Sequence, residues 1–399
     1  MVYDAWKQVR ENRGSAGIDG FSIKEFEEDL SNNLYKLWNR LTSGSYFPQS
    51  VKQVGIPKAS GGTRYLGIPT VSDRIAQMVV KTSLEQRIDH LFNENSFGYR
   101  PKKSAHMALK KAVLNCRTYD WVIDLDIKGF FDNIDHQLLG KALERHANKW
   151  EQMYISRWLE ASVQKVDGTI ETKQGKGTPQ GGVISPLLAN LFLHYAFDEW
   201  VLINHSGNPF ERYADDIIIH CNTNEEAQKL LSQIKERLLN CGLEVHPEKT
   251  KIVYCKDGRR KGDHEVVQFK FLGFDFQPRN LKSTKDGKLF LGFHLAISKE
   301  SKQRILSEIR KTNLHKWSDA TLEDIANMLN PKLQGWINYY GKFSKYALMQ
   351  VMVKLDKRLE KYLMNKYKMT SVWATIDMLK NIRKENPKLF VHWRHSTML

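Results

Sequence analysis

The sequence predicts an α+β fold in two parts: mixed helices and strands over residues 1–290, then an all-helical remainder over 291–399. Three observations predict it. Short β-like runs, among them "WVIDLDI" (121–127) and "DIIIHC" (216–221), alternate with amphipathic helical stretches in the first part. After residue 297 the text is helical almost throughout, in "SKESKQRILSEIRKTN", "TLEDIANMLNPKLQGWINYYGKFS" and "ALMQVMVKLDKRLEKYLMNKYK". Charge shifts at the same place. Of 61 Lys+Arg and 45 Asp+Glu, residues 291–399 hold 20 and 9, a net of +11, which leaves +5 for the first 290 residues.

The elements follow in order. "VKQVGIP" (51–57) and "RYLGIP" (64–69) flank "ASGG" and read as a hairpin. "VSDRIAQMVVKTSLEQRIDHLF" (71–92) reads as a helix capped by Ser72. "WVIDLDI" reads as a strand whose alternation places Asp124 and Asp126 on one face. "PFERY" and "DIIIHC" read as a tight hairpin with Asp215 and Asp216 at its tip. "EEAQKLLSQIKERLLNCG" (225–242) reads as an amphipathic helix closed by Gly242. The boundary near 290 falls in "LKSTKDGKLFLG".

Composition narrows the function. With 399 residues and 41% hydrophobic content the chain is globular, and its net charge of +16 points to a polyanionic partner, nucleic acid above all. Cys116, Cys221, Cys241 and Cys255 are scattered with no C-x-x-C pair, which argues against a zinc knuckle and for reduced thiols. The start is charged and lacks an apolar signal core, and no apolar run approaches the ~18 residues of a membrane span. The expectation is a cytoplasmic, intracellular protein with no membrane partner.

The chemistry centres on acids. A lone Asp-Asp pair is usually a solvated turn. Here Asp215 and Asp216 sit at the mouth of an apolar strand, and a second acidic strand precedes them. Carboxylates converging from two strands repel one another unless cations lie between them. Hard divalent ions with oxygen ligands, Mg²⁺ first, meet that need. Two such ions can activate a 3′-hydroxyl and stabilise leaving pyrophosphate in an in-line displacement.

The ordered set of motifs resembles the group II intron-encoded reverse transcriptases. "DLDIKGFFDNIDH" and "RYADD" are similar to that family's two acidic motifs, and "GTPQGGVISPLLANLFLH" to its template and nucleotide loop. "IPKASGGTRYLGIPTVSDRIAQ" and "FGYRPKKSAHMAL" resemble its fingers blocks, and "GLEVHPEKTKI" and "FKFLGFDF" its later palm motifs. "LNPKLQGWINYYGKFS" resembles its maturase-specific region.

The resemblance implies a right-hand polymerase: fingers and palm over 1–290, the palm an antiparallel sheet backed by helices, and a helical thumb/maturase domain over 291–399 that binds RNA. It implies that Asp126, Asp215 and Asp216 hold two Mg²⁺ ions, with Mn²⁺ as the alternative ion, and assigns no metal to Asp124. Phe131 matches the position that stacks under the incoming sugar and discriminates against a 2′-hydroxyl; the competing reading is a core aromatic. Gln180 matches a nucleotide contact. Lys58 and Arg64 flank the fingers turn and would clamp a triphosphate, although "SGG" with basic neighbours is also an ordinary exposed turn. Lys249 matches the position that protonates pyrophosphate, with Lys251 two residues away. Leu272 and Gly273 fall in the primer grip.

The implied partners are intron RNA and an RNA template, a DNA primer or target, and deoxynucleoside triphosphates. Two other functions stay open on the sequence. One is an RNA-binding splicing cofactor with dispensable polymerase activity. The other is a domesticated reverse transcriptase of a phage-defence or CRISPR system. The N-terminal extension starts late relative to the family, and no endonuclease motif follows the maturase-like region, so cleavage of the second target strand is not expected. In the basic C-terminal quarter, Trp336, Tyr339 and Tyr340 have the spacing of core residues, and His392 and His395 read as structural.

Overall fold

β-Branched and aromatic runs form the strands, and the computed structural model describes residues 1–57, 61–172, 174–283 and 285–395. Lys58 lies outside the described residues. The chain divides into two units: Met1–Asn115 with Trp121–Ile252, and Cys116–Asp120 with Val253–Leu399. Charge and helix content change near 290, whereas the units divide near 252. The hairpin before residue 290 belongs with the helices because its inward faces, including Phe274, Phe276, Phe293 and Leu295, are fully buried in the second unit.

In the first unit β1 (Val51–Pro57) and β2 (Thr63–Ile68) form the expected antiparallel hairpin, with Ile56 opposite Arg64. β3 (Trp121–Asp126) comes next. The short strands β4 (Val163–Gln164) and β5 (Ile170–Glu171) extend the first hairpin into a sheet ordered β2-β1-β4-β5. β6 (Phe210–Tyr213) and β7 (Asp216–Cys221) form a second hairpin, which pairs with β3 in a sheet ordered β6-β7-β3-β8. β8 (Lys251–Tyr254) carries the chain out of this unit.

Ile217, Ile218 and Ile219 of β7 and Val122 and Ile123 of β3 are completely buried. Helix Asn224–Asn240 packs on these two strands, presenting Leu230, Ile234 and Leu238. Helix Val71–Ile88 is buried along most of its length. Its cap is Thr70, whose Oγ1 accepts from the Asp73 N–H at 3.1 Å, and not Ser72.

In the second unit β9 (Phe269–Phe271), β10 (Phe274–Lys282) and β11 (Leu289–Ile297) form an antiparallel sheet. Among the described residues three α-helices follow: Lys299–Lys311, Leu322–Lys366 and Val372–Glu385. The middle one is broken at Ser344 (φ −142°, ψ 44°), whose Oγ accepts from the Ile297 N–H at 3.1 Å. Among the described residues no helix is long and apolar enough to cross a membrane.

Candidate active site

Tyr213 and Asp216 close the β6–β7 hairpin in register, so the loop is only Ala214 and Asp215. Two-residue loops that need a left-handed first residue usually place glycine there. Here Ala214 takes φ +60°. The cost is offset from beneath. Arg212, wholly buried, donates through Nη1 to the Ala214 carbonyl at 3.1 Å and to Asn190 Oδ1 at 2.9 Å. Its Nε and Nη2 grip both oxygens of Asp198 at 2.7 and 2.5 Å. Asp198 is presented by a π-helical turn, His194–Asp198, a rare geometry that is frequent near functional sites. Asn190 also donates to the Gly98 carbonyl at 2.8 Å. Gly98 must be glycine, because a Cβ there would lie 2.4 Å from the Ala214 nitrogen.

Asp126 ends β3 directly opposite Asp216. Its backbone is fixed on the far side, where the Asp126 carbonyl accepts from the His246 N–H at 2.8 Å and its N–H donates to Thr250 Oγ1 at 3.2 Å. Lys249 Nζ lies 3.4 Å from Asp126 Oδ1. The Asp215 carboxyl is pushed up by burial, and further by the charge of Asp126, while Arg64 and Lys249 pull it down. Asp126, Asp215, Asp216, Lys249 and Arg64 therefore share one electrostatic neighbourhood.

The donor set fits a hard cation, since it is all carboxylate oxygen and repulsion between Asp126 and Asp215 is relieved by positive charge. Among the described residues, however, no group of three His, Cys, Asp or Glu side chains is gathered tightly enough to hold an ion alone.

Burial pushes the Asp124 carboxyl up to about 7, with Lys251 lowering it and Asp126 raising it. A folded state that holds this proton more tightly than the unfolded chain, where the value is 3.8, is favoured at low pH and loses that advantage as pH rises to about 7. In chelator, the melting temperature of Asp124→Asn should gain on the parent's across that window. Parallel pH profiles would contradict it.

A cavity of about 300 Å³ lies between the β1–β2 hairpin and the glycine-rich loop, lined by Arg64, Asp132, Thr178 and Gln180 among others. Arg64 Nε donates to Gln180 Oε1 at 3.0 Å, and Gln180 Nε2 donates to Asp132 Oδ2 at 3.1 Å, so the amide has one orientation. The loop lies hard against β2, where the Gly67 N–H donates to the Gln180 carbonyl at 2.6 Å. Gly181 has φ +118°, and a Cβ there would be 2.3 Å from the Gly67 oxygen. Phe131 is half-buried, whereas its neighbour Phe130 is in the core with the two rings edge to face at 5.3 Å.

In the second unit Leu272 and Gly273 form the β9–β10 turn with φ of +50° and +79°. Tyr339 Oη donates to the Leu272 carbonyl at 2.9 Å, and Tyr340 packs on Phe274 with centroids 5.4 Å apart. The core spacing read for these tyrosines is what places them over the turn. His392 meets Asp356 at 2.9 Å, an acid 36 residues away that the sequence does not put beside it.

Sequence reasoning missed Asp132, Arg212, Asp198 and Asn190. The available signal for Arg212 was a charge inside an otherwise strand-like run next to the paired aspartates. Nothing local marks Asp198 or Asn190.

Two family models match in chain order: "Reverse transcriptase (RNA-dependent DNA polymerase)" over residues 56–276, more than half of the chain, and "Group II intron, maturase-specific domain" over 302–378. The chain belongs to the group II intron-encoded reverse transcriptase family. It is 28% identical to the group II intron-encoded protein LtrA of Lactococcus lactis, over 96% of this chain and 75% of that protein. It is 30% identical to protein YkfC of Escherichia coli, over 63% of this chain and 76% of that one. A protein of the cob intron of Schizosaccharomyces pombe is 25% identical over 83% of this chain and 48% of its own length. The reverse transcriptase is thus an RNA-directed DNA polymerase by family. Asp126, Asp215, Asp216, Lys249, Lys58, Arg64, Phe131, Gln180, Leu272 and Gly273 all fall within the matched reverse transcriptase span, whereas Tyr339, Tyr340, Asp356 and His392 lie beyond it.

Proposed function

We propose that this reverse transcriptase extends a DNA primer on an RNA template by nucleotidyl transfer at Asp126, Asp215 and Asp216, and binds its intron RNA to assist splicing and retrotransposition. The observation that carries the reading is the register of β3 and β7, which sets Asp126 across from Asp216 with Asp215 beside it. The three carboxylates would hold Mg²⁺ or Mn²⁺, in an open arrangement that suits ions sharing their coordination with water and substrate phosphates. The chemistry supplied by paired ions there is activation of the primer 3′-hydroxyl and stabilisation of departing pyrophosphate.

The chain's own residues do the rest. Arg64, fixed by Gln180, neutralises triphosphate, and Lys58 is assigned the same role from the sequence. Asp132 keeps the Gln180 amide turned so that its oxygen faces Arg64. Lys249, already beside Asp126, is placed to give a proton to pyrophosphate. Leu272 and Gly273 grip the primer.

We assign residues 1–290 to fingers and palm and 291–399 to a thumb/maturase domain inside the cell. Exposed Tyr346, Tyr367 and Trp373 among its many lysines suit stacking on unpaired RNA bases. Primer extension on an RNA template with Mg²⁺ tests the reading. A DNA product supports it, and no product leaves the splicing-cofactor alternative.

Phe131 presents a ring where a ribose 2′-hydroxyl would clash. Phe131→Ala should therefore incorporate ribonucleotides at least about tenfold better relative to deoxynucleotides, the effect of losing roughly 1.4 kcal/mol of discrimination. A variant as selective as the parent would make Phe131 a packing residue only.

A further inference from the structure

Residues 277–301 lie between the two spans that the family models match. This interval holds most of the β10–β11 hairpin. Beside it opens a cavity of about 560 Å³, lined by Arg117, Asp257, Arg259, Leu281, Phe290 and Phe293 among others. Phe290 is 50% exposed, although it sits in a regular strand. Gly292 makes room for its ring, because a Cβ there would stand 3.2 Å from Phe290 Cε2 and 2.8 Å from Leu281 Cδ1.

The opposite wall is built and rigid. Gly258 N–H donates to the Leu291 carbonyl at 2.9 Å, tying the 257–260 loop to β11. Arg260 is buried beneath. It donates to the carbonyls of Cys116, Arg117 and Cys255 at 2.7–2.9 Å and pairs with Asp120 at 2.6 Å. Arg259 rests on that frame, with Nη2 2.8 Å from the Arg117 carbonyl, and its side chain is 75% exposed. The carboxylate of Asp257 accepts from the Arg259 and Arg260 backbone N–H groups at 2.8 and 3.0 Å and lies 3.4 Å from Nη2 of the solvent-exposed Arg259, a weak pair for which a phosphate competes.

We propose that this pocket seats an unpaired stretch of nucleic acid, one base stacking on Phe290 while Arg117 and Arg259 neutralise adjacent phosphates. The pairing of features selects the ligand. An apolar partner would strip water from two guanidinium groups without compensation. An acidic peptide would use the arginines but gain nothing from the exposed ring. A nucleotide offers a flat π-face and a phosphate together, and stacking on one ring tolerates any base. Exposed Lys282, Lys285 and Lys288 at the hairpin end extend the same field. The proposal adds a contact to the RNA-binding role above and rests on that reading only for the class of partner.

The test is fluorescence anisotropy of the full chain with labelled 12-nucleotide oligouridine RNA and oligothymidine DNA across a salt series. Phe290→Leu keeps apolar volume and removes the ring. It should bind roughly tenfold more weakly, the loss of one base stack, whereas Phe290→Tyr should bind like the parent. Arg117→Gln with Arg259→Gln should reduce the slope of log affinity against log salt by about 1.4, or ~0.7 for each phosphate no longer neutralised. Equal losses on both oligonucleotides mean base and phosphate contacts alone, and a loss on RNA only adds a 2′-hydroxyl contact. Unchanged binding of both by Phe290→Leu, or an unchanged slope in the arginine variant, overturns the proposal and leaves the pocket to a protein partner. If Phe290→Leu is misfolded, the exposed Arg259→Gln alone carries the slope test. Binding is read without nucleotides. If the variants show these losses while the parent makes no DNA, the polymerase reading falls and this one stands.

Discussion

Asp215→Asn should abolish DNA synthesis while leaving affinity for RNA close to that of the parent. A metal-bound carboxylate supports several kcal/mol of transition-state stabilisation, and each ~1.4 kcal/mol is tenfold in rate, so the fall should be at least about 10³-fold. The basic groups proposed above to meet RNA phosphates lie elsewhere, chiefly in the C-terminal quarter, so RNA retention should hold. The variant should also melt no lower than the parent. Burial and the charge of Asp126 both push the Asp215 carboxyl up, which means its ionised form is disfavoured in the fold. A neutral isostere removes that penalty. Single-nucleotide extension, an RNA-binding titration and a melting curve on one preparation check all three. Unchanged extension would refute the site.

Arg212→Met should produce the largest loss of stability. Arg212 and Asp198 are both 0% exposed and pair at 2.5 Å. Removing one partner leaves a buried charge without its counter-ion, which costs about 3–5 kcal/mol. For a unit of this size that is a fall in melting temperature of roughly 10 °C. Arg212→Met with Asp198→Leu removes both charges and should recover most of it. DNA synthesis should not recover in the double variant, because the Ala214 carbonyl still lacks its donor and the left-handed turn before Asp215 is unsupported. A double variant no more stable than the single one would show that the pair is not a coupled unit.

These residues mark how far the sequence could be read. The strands around the acids were legible because an apolar run such as "DIIIHC" has a strong local signature. The hairpin tip was legible because the paired aspartates interrupt two strand-like runs. Gln180 was assigned to the nucleotide by family resemblance and Arg64 to its triphosphate by its charge at the shoulder of a turn, and the fold brings them to 3.0 Å. Asp132 passed unnoticed within "DLDIKGFFDNIDH", because its value comes from a Gln180 amide 48 residues away. The Arg212 network was invisible for a similar reason: its members lie on β6, a helix and a π-helical turn, and no local pattern says which charge points inward. Ser72 and Thr70 are both plausible caps by type, and end positions are ambiguous by a residue or two. The charge step near 290 tracks surface composition. The division near 252 tracks which apolar faces are shared, and only the fold displays that.

The second unit is not one continuous stretch of chain. Residues 116–120 belong to it, and Arg260 is held by carbonyls from that short piece. During synthesis this piece leaves the ribosome on the order of ten seconds before its partners, at typical elongation rates. It must therefore wait while residues 121–252 of the first unit are translated, and the second unit cannot close until late. A fragment started at Val253 would lack the strap altogether. Any attempt to produce the C-terminal part alone therefore has to supply residues 116–120, for instance by circular permutation, to obtain the native loop.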